Sequence, residues 1–97
     1  MTPEECNSAI IAEQAFQLLR KAMPGIPVTI RGAARVLRKH PEFRGLERDP
    51  YTGGWDARFQ DPEHRYYHGK AEADEDAVII AACRWQKLEL EKPKGIA

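Results

Sequence analysis

Residues 77–83 read Ala-Val-Ile-Ile-Ala-Ala-Cys, seven apolar side chains without a polar break. On a helix such a run has no polar face, so the rest of the chain must surround it. Glu72, Asp74, Glu75 and Asp76 precede the run, acids suited to the positive end of a helix dipole. Trp85 and Leu88 continue the apolar pattern, and Lys92-Pro93 ends it. A helix from about Ala71 to Glu91 is therefore predicted through the middle of the molecule. At 97 residues the chain can build one core. The predicted organisation is a single domain over 1–97, with 93–97 as a loose tail.

The segments around this helix are legible from their punctuation. Thr2-Pro3-Glu4-Glu5 reads as a capping box with proline in the first turn. It opens a helix whose stripe is Ile11, Ala15, Leu18 and Ala22, widened by Ala12, Phe16, Leu19 and Met23, and Pro24-Gly25 stops it. Ile26-Pro27-Val28 is extended. Thr29 caps a second helix that ends near His40, ahead of Pro41. PEFRGLER (41–48) suggests a short helical turn burying Phe43 and Leu46, and residues 49–54 form a loop.

Trp55-Asp56-Ala57-Arg58-Phe59 alternates as a half-buried strand does, and Arg65-Tyr66-Tyr67-His68 supplies its hairpin partner. If Asp61 and His64 pair across the turn, Phe59 faces Tyr66 and Arg58 faces Tyr67. Pro62 suits no primed two-residue turn, and a longer loop shifts that register. The expected fold class is α+β, predominantly helical: three to four helices, with one two-stranded β-hairpin between the second or third helix and the last. The expected core contains Ile11, Ala15, Leu18, Leu19, Leu37, Trp55, Phe59, Val78, Ala81, Ala82 and Trp85.

The formal net charge is zero, but it is unevenly spread. Residues 20–70 hold eleven Lys or Arg against six Asp or Glu, and both flanks are acidic. Within 31–48 the basic residues are five Arg and one Lys against two Glu. Arg31, Arg35 and Arg38 stand at i, i+4 and i+7 of the second helix, opposite Ile30, Ala33, Ala34 and Leu37. One helix face can thus pack while the other offers guanidinium groups, which match phosphate and carboxylate geometry better than lysine does. Lys39 extends this face, and the hairpin can add Arg58, Arg65 and Tyr67. Pairing with the acidic start of the last helix is the competing use of the same arginines.

Catalytic chemistry has little material. Ser8 is the only serine, no nucleophile elbow or phosphate-cradling loop occurs, and Cys6 and Cys83 form no metal-binding spacing. His64 and His68 on a strand lie ~13 Å apart, too far to share one metal ion. No catalytic residue, metal or cofactor is expected, and no small-molecule substrate. No run approaches the ~20 residues of a membrane span, so no membrane contact is expected. The start, MTPEEC, lacks signal-peptide character, which with two sparse cysteines points to the cytoplasm.

VTIRGAARVL (28–37) resembles the first helix of helix-turn-helix modules, with Ala33-Ala34 as the close packing point and Leu37 closing the helix. That resemblance implies a following recognition helix. Here Arg38-Lys39-His40-Pro41 replaces the usual glycine turn, and Gly45 interrupts the next segment. The expected function is non-enzymatic binding of an anionic macromolecule, nucleic acid first. The site residues are Arg31, Arg35, Arg38, Lys39, Arg58, Arg65 and Tyr67. The alternative is a protein-interaction module, a small inhibitor or adaptor of a nucleoprotein complex, in which the arginines meet an acidic protein surface.

Overall fold

The structure, a computed structural model, describes the backbone of residues 3–88 and the side chains from Ser8 onward. Its order is α1 (Pro3–Ala22), α2 (Ile30–Leu37), β1 (Phe43–Arg48), β2 (Trp55–Gln60), β3 (Tyr66–Ala71) and α3 (Asp74–Trp85). The strands form one antiparallel sheet in the order β1-β2-β3. The expected two-stranded hairpin with three to four helices is therefore corrected, among the described residues, to three helices and a three-stranded sheet.

The third strand comes from PEFRGLER, expected as a helical turn. Eight residues with an internal glycine make a weak helix, whereas pairing with β2 satisfies their backbone polar groups. The helix-like spacing of Phe43 and Leu46 has another cause. In a regular strand residues three apart lie on opposite faces. Here Phe43 pairs with Phe59 and Leu46 with Ala57, and a bulge at Arg44–Gly45 absorbs the extra residue. Both apolar side chains thus reach the same inner face, on which Ala57 and Phe59 are fully buried. Since a strand follows α2, the recognition helix implied by the helix-turn-helix resemblance is absent.

β3 also differs from expectation, running to Ala71 and pairing one residue out of the tight-turn register. Phe59 faces Tyr67 and Arg58 faces His68. A five-residue connection, 61–65, replaces the two-residue turn. Asp61 Oδ1 accepts from the backbone N–H groups of Glu63 and Arg65, both at 2.9 Å, and His64 takes a positive φ of 68°.

The apolar run holds the position expected of it. All seven residues 77–83 are buried, with β2 and β3 against one side of α3 and α1 and α2 against others. The helix is shorter than expected, since Ala71 belongs to β3 and α3 stops at Trp85. Residues 89–91 of the expected helix lie outside the described residues. So do the 93–97 tail and Thr2 of the predicted cap.

Close approach of α3 to the sheet depends on Gly69, where a Cβ would sit 2.2 Å from Ala81 N and 2.3 Å from Ala77 O. At the far end Trp85 stacks on Phe59 (centroids 4.7 Å, 17°), meets His40 edge-on at 4.7 Å, and donates from Nε1 to Glu42 Oε2 at 2.7 Å. Of the expected core, Ile11, Leu18, Trp55 and Trp85 are only half-buried, while the other seven residues are buried. The buried stripe of α1 is Ala12, Ala15, Phe16 and Leu19, turned by about one residue from the stripe centred on Leu18; Ala22 is exposed. Among the described residues no helix is long and apolar enough to cross a membrane.

Candidate functional site

α2 is built as the sequence implies. Thr29 Oγ1 accepts from Gly32 N at 3.1 Å, and Ala33, Ala34 and Leu37 are buried. The backbone tightens after Leu37, with Lys39 N donating to Val36 O and His40 N to Leu37 O. Burying the alanine face against α3 turns Arg31, Arg35 and Arg38 outward, all three exposed.

These arginines and Lys39 form one wall of an open cleft of about 550 Å³ between α2 and the N-terminal half of α3. Ala34 and Val78 supply apolar lining, and Asp74 and Glu75 line the α3 side. Arg31 Nε donates to Glu75 Oε1 at 3.1 Å. Arg35, Arg38 and Lys39 make no ion pair among the described residues. The cleft therefore has a basic wall with three cations outside any ion pair, facing an acidic wall on which Glu75 is ion-paired and Asp74 Oδ1 accepts from Glu75 N at 2.9 Å.

Acid crowds the α3 side further. Burial, and then the charges of Glu75, Glu13 and Asp74, push the Asp76 carboxyl above its usual range. Among the described residues, the only ion pair that offsets this cluster is that of Arg31 with Glu75.

The remaining predicted site residues lie elsewhere. Arg58 is on the outer face of the sheet, which α3 does not cover. Its Nη2 donates to Glu47 Oε1 at 2.6 Å, and its Nε has no hydrogen-bond partner among the described residues. Arg65, in the β2–β3 connection, pairs with Glu63 at 3.3 Å. Tyr67 alternates with His68 and points to the inner face, its hydroxyl donating to Asp61 Oδ2 at 2.9 Å. That bond raises the Tyr67 pKa, and the backbone N–H of Arg65 is the main cause holding the Asp61 carboxyl below its ordinary range. Arg31, Arg35, Arg38 and Lys39 are thus brought together; Arg58, Arg65 and Tyr67 do not join them.

Sequence reasoning offered the acidic start of the last helix as a partner for the arginines, which the Arg31–Glu75 pair realises, but did not place Ala34 and Val78 in one cleft with them. The signal was present in part, as two small or β-branched residues facing each other where α2 packs on α3.

Cys83 is fully buried, and desolvation pushes its thiol up to about 11. His68 Nδ1 lies 3.2 Å from Asp56 Oδ1 on the outer sheet face. No group of three or more His, Cys, Asp or Glu is placed to hold a metal ion among the described residues.

What the fold and cleft define is a small α+β domain with a charged concave surface between two helices. Comparison of the chain with protein families, with curated proteins and with solved structures finds no match in any of the three.

Proposed function

We propose that this protein is a non-enzymatic binding module that engages an anionic macromolecule, nucleic acid first, through the α2 wall of the cleft. The observation that carries this reading is the set Arg35, Arg38 and Lys39, three cations on one wall with no ion pair among the described residues. Clustered cations left uncompensated raise local potential even on a neutral protein. From Arg31 to Arg38 the chain rises about 10 Å, a length of duplex axis over which each DNA strand carries about three phosphates. The hairpin plays no part in this surface. A cytoplasmic setting belongs to the same reading, since Cys83 is a free thiol in the core.

A second reading, a protein-interaction module, is supported by the acidic wall. Asp74 and Glu75 would repel a second row of phosphates, but would accept the basic groups of a charge-patterned protein surface.

Fluorescence titration of labelled single strands and duplexes at about 50 and 200 mM salt separates the two. Binding that weakens steeply with salt supports nucleic acid. No binding at low salt removes nucleic acid and leaves the protein reading.

A further inference from the structure

Arg31 differs from its neighbours on α2 in one respect: a carboxylate of the same chain already occupies it. Glu75 reaches from the first turn of α3, and its Oε1 stands 3.1 Å from Arg31 Nε. The Arg31 side chain is 77% exposed and that of Glu75 35%. The pair lies in water's reach at the cleft, where a surface ion pair holds weakly and exchanges readily for another anion. Arg35 is one turn further along the same face, within reach of any group bound at Arg31.

We infer that Glu75 is an internal competitor for the cleft's ligand: it holds Arg31 in the place where a backbone phosphate of a nucleic-acid strand binds between Arg31 and Arg35. The inference rests on the reading of the α2 wall as a nucleic-acid-binding surface. Binding then exchanges one ion pair for another at Arg31, while Arg35, Arg38 and Lys39 gain pairs outright. Removing the Glu75 charge therefore tightens binding, and Arg31 contributes fully only once Glu75 is neutral.

The probe is a fluorescein-labelled single-stranded oligonucleotide at low salt, titrated with the full chain and its variants. Glu75→Gln, which keeps the side-chain size, is expected to tighten binding about three- to tenfold, with the gain shrinking as salt rises. Arg31→Ala is expected to weaken binding less than about threefold in the parent but to abolish the gain in the Glu75→Gln background, a non-additivity that a general charge effect does not produce. Glu13→Gln makes the same change in net charge outside the cleft lining and is expected to leave affinity within about twofold.

Binding by the parent with no gain in Glu75→Gln overturns the inference and leaves the reading of the wall intact. Equal tightening by Glu13→Gln, or equal losses from Arg31→Ala in both backgrounds, overturns it as well. No binding by either the parent or Glu75→Gln overturns the nucleic-acid reading of the wall, and the inference with it.

Discussion

On the outer face of the sheet, Arg58 sits on Glu47, His68 on Asp56, Arg44 on Gln60 and the Pro41 carbonyl, and Lys70 lies 3.9 Å from Asp49. On α2, Arg31 meets Glu75, while Arg35, Arg38 and Lys39 meet no acid among the described residues. Both surfaces look alike in sequence, since each alternates basic residues with others at the period of its element. The difference lies in what stands across from them. In the sheet, cross-strand neighbours are about 5 Å away, and an acid on the next strand neutralises a base almost by construction. On a helix packed by one face, the opposite face meets only solvent, and its charge survives unless another element reaches over. Arginine content alone therefore does not leave a surface basic; arginine without an opposing strand does.

α3 holds the two surfaces apart, and the largest effect expected is the loss of that wall. Gly69→Ala would put a Cβ 2.2 Å and 2.3 Å from backbone atoms of Ala81 and Ala77, which have no rotamer by which to give way. Helix and sheet must separate, at a cost of about 3 kcal/mol or more. A thermal melt checks this; a variant that melts like the parent would show that α3 does not rest on β3. Next comes Leu19→Ala, at about 2–5 kcal/mol for a side chain with no exposed surface. Leu18→Ala is expected to lose clearly less because its side chain is only half-buried. Equal losses in the two melts would return the α1 stripe to the position read from sequence.

How much of this was legible depends on the kind of signal. The centrality of residues 77–83 needed only the absence of polar groups, a local property. The cap at Thr29 and the Trp55–Phe59 alternation were local too. β1 was missed because its inward residues, Phe43 and Leu46, are three apart. That spacing means one face of a helix, or one face of a strand with a bulge, and nothing local tells these apart. The hairpin register depended on the length of the β2–β3 connection: Asp61 and Pro62 mark a turn, and Asp61 organises it through bonds two and four residues along, but these residue types do not fix whether it has two residues or five. The cluster Arg31, Arg35, Arg38 and Lys39 was legible from i, i+4 and i+7 spacing. The loss of Arg58 to Glu47 was not, because it required β1 to exist.

The two surfaces should respond differently to charge removal, by a smaller margin in stability than in binding. Replacing Arg35, Arg38 and Lys39 together by alanine is expected to lower the salt slope of oligonucleotide binding by ~0.7–0.9 for each phosphate no longer neutralised. Stability is expected to stay within about 1 kcal/mol, as exposed charges dictate. Arg58→Ala is expected to do the reverse: binding unchanged, with a modest loss of stability because Glu47 loses its partner. Titrations and melts of both variants decide it. If Arg58→Ala weakens binding as much as the triple variant does, the outer sheet face belongs to the site and the two surfaces are not distinct.

The smallest expected effect concerns the acidic start of α3, where Asp76 is crowded by like charges and has no ion pair among the described residues. Asp76 has its carboxyl raised, chiefly by burial and then by Glu75, Glu13 and Asp74. A raised folded-state pKa means that the ionised form is the strained one. Its penalty is absent below the ordinary carboxylate range near pH 4 and grows as pH rises through the raised value. Asp76→Asn is therefore expected to stabilise the protein at pH 7, by a few tenths of a kcal/mol once solvent screening is counted, and to give no gain near pH 4. Asp61 is the counterpart in the β2–β3 connection: its lowered pKa contributes stability above the ordinary range that disappears as pH falls through the folded value. The loss of one effect and the relief of the other oppose each other on acidification. Because Asp61 is common to both, melts of parent and Asp76→Asn across pH 4–7 should converge toward acid as the Asp76 penalty disappears. Curves that stay parallel would mean that the acids at the start of α3 do not strain one another, and that this cluster is as settled as the sheet's outer face.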